Sequence, residues 1–227
     1  MVKRDFEWDW RGAEAEFNRA LELNPGCVEA CHWGGTLQGI LGRGADAIRE
    51  KKKALAMDPL SVVIKTDLGR TLYFSQDYDR AEAEFQSALE MDPRFEVAHL
   101  WLAHVYQQEG EFARAIEELQ TGERLTPGST FAVAKLGHGY ALGGKHEEAR
   151  AILKRLKTTA TQRYVSPYDI AIVYVGLREK DEACVWLQKA LQERSIWLGY
   201  IGVEPQFEEL RSDQRFDGLI RAVGLPT

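Results

Sequence analysis

One spacing governs this chain. Six alanines, Ala13, Ala47, Ala81, Ala115, Ala149 and Ala183, follow one another at steps of 34 residues, and Pro25, Pro59, Pro93 and Pro127 keep the same step. The prolines close similar phrases: Leu-Glu-Leu-Asn-Pro, Leu-Ala-Met-Asp-Pro, Leu-Glu-Met-Asp-Pro and Arg-Leu-Thr-Pro. A tyrosine column, Tyr106, Tyr140 and Tyr174, stands nine residues ahead of the last three alanines. A period of 20–50 residues marks an array in which each unit buries its apolar face against its neighbours. A single-centred core is thereby excluded.

Each period reads as two amphipathic helices. In Asp79-Arg80-Ala81-Glu82-Ala83-Glu84-Phe85-Gln86-Ser87-Ala88-Leu89, the residues Ala81, Phe85, Ala88 and Leu89 fall on one helical face. The partner helix spans Phe95 to Gln108, with Ala98, Leu102, Val105 and Tyr106 inward. Gly110 separates the two, as Gly42, Gly143 and Gly144 do elsewhere, and the late proline stops each second helix. Small residues in the alanine column let paired helices approach closely; a larger side chain there costs about 1–3 kcal/mol by overpacking.

These residues resemble the tetratricopeptide repeat (TPR) family, whose unit is 34 residues long. Leu68-Gly69, Ala81, Phe85, Ala88 and Pro93 carry the resemblance in one unit; Leu102-Ala103, Tyr106, Ala115 and Pro127 carry it in the next. Leu136-Gly137, Tyr140 and Ala149, then Ile170-Ala171, Tyr174, Ala183 and Ala190, continue it. The departures are Lys51 at an apolar place, Gly122 at an alanine place, and Thr161 and Ser195 at the proline place. The resemblance implies an all-α right-handed superhelix in one domain, 1–227. It divides into a half repeat at 8–25, full repeats at 28–61, 62–95, 96–129, 130–163 and 164–197, and a helical cap at 198–227.

The two ends carry their own expectations. Trp8 to Pro25 reads as a lone second helix, so the chain is expected to begin inside a repeat of a longer polypeptide. Trp10 and Phe17 are then exposed, or covered by another copy. Near the other end, Glu204-Pro205-Gln206-Phe207 and Ser212-Asp213-Gln214-Arg215-Phe216 read as helix starts, with Gly224-Leu225-Pro226 as the stop. Tyr164–Asp169, Arg194 and Leu210–Phe216 are similar to the C-terminal TPR region of bacterial winged-helix transcription regulators and serine/threonine kinases, which implies a bacterial multidomain parent.

No constellation points to chemistry. Gly137-His138-Gly139 and Gly42-Arg43-Gly44 lack the strand-then-helix setting of a phosphate loop. Cys27 and Cys31-His32 have no second ligand pair, so Cys31 reads as core, like Cys184; His104 and His138 share one surface but are too few for a metal. Lys51-Lys52-Lys53 reads as a solvated face. The expectation is no enzyme, no metal and no cofactor. A net charge of −6 disfavours a nucleic-acid surface, and the longest apolar run, Ile170–Leu177, is short for the roughly 20 residues of a membrane span. Three cysteines are too few for a disulfide framework, which favours a reducing, cytoplasmic setting, with an extracytoplasmic one still open.

The working surface expected of the resemblance is the concave wall of first helices. Counting from each repeat start, the fifth places include His32, Thr66 and Tyr168. The sixth places include Trp33, Asp67, Trp101, Lys135 and Asp169. The ninth include Thr36, Arg70, His104 and His138; the twelfth include Tyr73 and Gln107. The Lys-and-Asn pair with which some family members clamp a carboxylate is missing, since His32, Thr36, Thr66 and Arg70 stand there. Arg70 and Lys135 could pin one acidic group, and Tyr73, Trp101 and Tyr168 could receive apolar anchors. Trp33, Trp101 and Tyr73 suit inter-repeat core equally well. The function expected is a non-catalytic protein–protein interaction module, regulatory or scaffolding, that holds a peptide or protein segment in this groove. The alternative is a homo-oligomer or filament built through the unpaired helix Trp8–Leu23.

Overall fold

The computed structural model describes residues Met1 to Pro226, and every regular element among them is helical. Two compact units are present. The first contains residues up to Pro93 together with Gly199–Pro205 and the residues from Ile220; the second contains Arg94–Leu198 and Gln206–Leu219.

In the first unit a short π-helical turn, Lys3–Glu7, precedes α1 (Trp10–Leu23). The pairs α2 (Val28–Ile40) with α3 (Gly44–Met57) and α4 (Val62–Phe74) with α5 (Tyr78–Met91) follow. The second unit holds α6 (Glu96–Gln108) with α7 (Phe112–Leu125), and α8 (Thr130–Leu142) with α9 (His146–Ala160). It also holds α10 (Pro167–Gly176) with α11 (Lys180–Gln192). Short 3-10 helices at Ile196–Tyr200 and Pro205–Leu210 and then α12 (Gln214–Val223) complete the chain, and Gly224 stops α12 at φ 73°.

The repeat columns acquire physical reasons here. All six alanines of the 34-step column are buried, at the point where paired helices meet. The turn inside each pair requires a left-handed residue, supplied by Gly42, Gly110 and Gly144 and, at the same step, by Gln76 and Arg178. Trp8, at φ 54°, occupies that register too. The turn Lys3–Glu7 therefore stands where a first helix would end, and α1 is not bare on that side. Prolines set the helix ends: α1, α3, α5 and α7 each stop two residues before one, whereas α9, with Thr161 in that place, runs on to Ala160.

Three readings from sequence are corrected. Trp10 needs no second copy to cover it: it is buried, and its indole Nε1–H donates to the Val223 carbonyl at 2.9 Å. Lys51 does not belong to a solvated face; only Lys52 and Lys53 do, and Lys51 is fully buried. Gly122 is no misfit at its alanine place, in line with Ala54 and Ala88, because a Cβ there would come within 2.6 Å of Leu100 Cδ2. The larger residue at the fifth place is matched by the smaller one opposite.

Candidate functional site

The first helices carry the residues singled out from sequence, and the structure buries ten of the eleven. His32, Thr36, Thr66, Tyr73, Trp101, His104, Gln107, Lys135, His138 and Tyr168 are buried, and Arg70 is nearly so. In each unit these side chains meet one another and the chain's own C-terminal residues.

In the first unit, Asp67 on α4 organises a polar cluster. Its Oδ2 accepts from His32 Nε2 at 2.7 Å and from Lys51 Nζ at 3.2 Å, while Arg70 Nη2 lies 3.0 Å from Oδ1. Lys51 Nζ also donates to Thr36 Oγ1 at 2.6 Å, and Trp33 stacks on the His32 ring with centroids 4.3 Å apart. Burial alone would raise the Asp67 carboxyl, but Arg70 and Lys51 outweigh it and hold the group well below the carboxylate range. Burial pushes the Lys51 ammonium down to about 7 against the pull of Asp67, and also lowers His32. The His–Asp pair resembles half of a hydrolytic relay, yet Asp67 also faces the cations Lys51 and Arg70, so that groups from α2, α3 and α4 converge on it. A buried carboxylate saturated in this way holds helices together.

Residues 199–205 lie against this same face. The Arg70 guanidinium stands 5.3 Å from the Tyr200 ring centroid, Phe74 packs on Tyr200 at 5.6 Å, and Tyr73 OH donates to Glu204 Oε1 at 3.1 Å. Ile201 and Glu204 are buried as a result. Arg70, read from sequence as a cation available to a partner, is thus engaged by Asp67 and Tyr200.

The second unit repeats the arrangement with different chemistry. Lys135 Nζ stands 5.6 Å from the Trp101 ring and 5.2 Å from Phe131, and donates to Gln206 Oε1 at 3.4 Å. Gln206 Nε2 donates to Tyr168 OH at 3.0 Å, and Phe207 meets the Tyr168 ring edge-on at 6.0 Å. Trp197 stacks on Phe131 at 4.6 Å. The two histidines stay neutral near pH 7: burial, aided by Lys135, takes His138 down to about 3 and His104 well below its usual value. Their rings meet edge to face with centroids 6.4 Å apart, and no group of three potential metal ligands exists among the described residues. Asp169 accepts from Thr130 Oγ1 at 2.7 Å, and burial pushes its carboxyl up to about 6.

The glycines and cysteines behave as packing residues. A Cβ on Gly137 would meet Ile152 at 2.6 Å, and one on Gly139 would meet Leu119 at 2.4 Å. Cys31 sits in an apolar cluster with Ala54 and Ile64 while His32 turns to Asp67, so the two do not converge on a ligand. What the sequence did not announce is the set Tyr200, Glu204, Gln206 and Phe207. Their only signal was an acidic residue, a proline and an aromatic in a segment otherwise read as a cap.

Residues 75–138 match a family model of the tetratricopeptide repeat. No curated protein matches the chain in sequence. Among solved structures the chain is similar to MamA, at 25% identity over 67% of this chain and 92% of that one, with a TM-score of 0.55. A thermophilic TPR protein of Thermus thermophilus is 22% identical over 86% of this chain and all of its own, with a TM-score of 0.62. Cut9–Hcn1 of the APC/C is 14% identical over 98% of this chain and 44% of that chain, at 0.66. The latter two show the shared fold. No described helix is long and apolar enough to cross a membrane.

Proposed function

We propose, from the premise that the chain is built of tetratricopeptide repeats, that it is a non-catalytic module binding a protein segment along the fifth-, sixth-, ninth- and twelfth-place side chains. The observation that carries this reading is the present occupant. In the first unit, Arg70, Tyr73 and Phe74 hold a short irregular segment of the chain itself, through one aromatic ring and one carboxylate. A face that recognises such a segment in cis has the chemistry to recognise one in trans. The partner segment carries an aromatic and an acidic residue, and takes the place of residues 199–205 on the first unit. A regulatory or scaffolding role within a larger protein is the part of this proposal that rests on the expected resemblance of the tail to bacterial regulators.

The test uses a fluorescein-labelled peptide reproducing residues 198–208. Glu204→Ala removes the hydrogen bond that Tyr73 makes in cis, and circular dichroism checks that its helicity is kept. The peptide is expected to bind this variant at least tenfold more tightly than the unaltered chain. Failure to bind either chain removes this face from the proposal.

A further inference from the structure

The seventh place of each repeat is filled by a large aliphatic residue in four of five repeats: Leu68, Leu102, Leu136 and Ile170, all buried. The first repeat has Gly34 there. Beside Gly34 only Phe17 comes within 4 Å of the place a Cβ would take. A pocket of about 280 Å³ opens over Gly34 among α1, α2 and α3, with Phe17, Leu21, Ala30 and Leu37 lining its apolar part. A Cβ on Gly34 would meet only Phe17, at 3.5 Å, which is ordinary contact. The volume is ample for one branched aliphatic side chain beside Phe17 and Leu37.

The rim states what the pocket does not want. Its three cations and three carboxylates are matched: Arg43 with Glu14, Arg49 with Asp46 at 2.6 Å, and Lys53 with Glu50 at 2.8 Å. A charged ligand would have to break one of these pairs without compensation. An uncharged branched aliphatic group restores the packing that the other repeats have.

We propose that the pocket over Gly34 is a binding site for one leucine- or isoleucine-sized side chain presented by a protein partner. That the side chain comes from a protein rests on the interaction-module reading; the pocket and its preference do not. None of the lining residues belongs to the face that holds residues 199–205.

N-acetyl-leucinamide is the probe, with N-acetylglycinamide as control, followed by amide NMR shifts of the full chain. Saturable shifts confined to α1, α2 and α3 are expected for the leucine probe alone. Gly34→Leu is expected to abolish them and to raise Tm by about 2–4 °C, as cavity filling does in a chain of this size. Gly34→Ala, the gentler variant, weakens probe binding severalfold. Gly39→Ala controls for helix propensity: its Cβ would lie 3.7 Å from that of Ala47, outside the pocket, so stability rises and binding is unchanged. An absent response in the unaltered chain, or equal binding by Gly34→Leu, overturns the site. Neither result depends on whether the 198–208 peptide binds.

Discussion

Asp67 and Asp169 occupy the same place in repeats three periods apart, yet their surroundings shift their carboxyl groups in opposite directions. Asp67 receives His32, Lys51 and Arg70 within 3.2 Å and stays ionised far into acid. Asp169 receives a hydroxyl, and burial pushes it up to about 6. The repeat backbone fixes where a sixth-place side chain points, and the neighbouring residues alone decide what charge it can keep. A shared register therefore implies no shared chemistry.

The sharpest way to break this contrast is to neutralise both carboxylates. Asp67→Asn removes the carboxylate that Lys51 and Arg70 share in a buried site, and is expected to cost about 3–5 kcal/mol. Asp169→Asn keeps an acceptor for Thr130 and is expected to cost under about 1 kcal/mol near pH 7. Urea denaturation of the two variants measures the difference; equal losses would abolish the distinction. Lys51→Leu added to Asp67→Asn is expected to recover more than half of the loss. Leu119, Leu153 and Leu187 fill that column elsewhere, and a buried ion pair replaced by well-packed apolar groups is often neutral or stabilising.

The same cluster shows what a sequence of this kind reveals. Ala47, Pro59 and Gly42 announce a helix pair because their spacing is local and repeated, and α3 ends where Pro59 says it must. Lys51 was visible only as a departure from an apolar column. Its partners lie on the preceding and following helices, at Thr36 and Asp67, and two charges sixteen residues apart leave no trace in periodicity. The sixth, ninth and twelfth places were legible as one face, but an aromatic such as Tyr73 or Trp101 looks alike whether it awaits a partner or holds the chain's own tail. Nothing in the repeat announces that Glu204 returns to Tyr73 across 131 residues. The missing side chain at Gly34 was legible in principle, since its column is otherwise aliphatic; only the adjoining Phe17 and Leu37 show that no neighbour fills the gap.

Titration sharpens the comparison at intermediate size. The folded Asp169 carboxyl, at about 6, lies above its unfolded value of 3.8, so the folded chain holds its proton longer. The stability this contributes is fully present below pH 3.8 and is lost as pH rises through 6. Asp67 has the opposite sign: its folded value lies below the unfolded one, so its contribution is present above pH 3.8 and is lost as pH falls further. Between pH 4 and 7 the unaltered chain is therefore expected to lose on the order of 1–3 kcal/mol relative to Asp169→Asn. Denaturation midpoints collected in parallel for the two chains measure this. A difference that is flat with pH would mean that Asp169 is ionised throughout and resembles Asp67 after all.

The smallest effect isolates the hydrogen bond that the Asp169 carboxyl accepts from Thr130. Thr130→Val removes the hydroxyl that lies 2.7 Å from Oδ2 and nearly preserves its shape. That hydroxyl lowers the Asp169 value against the larger effect of burial, so its loss sends the carboxyl further up. The expected cost is about 0.5–1.5 kcal/mol at pH 7 and less at pH 4, where a protonated carboxyl no longer depends on a donor. Carboxyl carbon shifts of Asp169 across a pH series measure the titration directly. A midpoint unchanged by Thr130→Val would assign the environment of Asp169 to Lys135 instead, and its kinship with the cation-held Asp67 would be closer than the geometry of Thr130 implies.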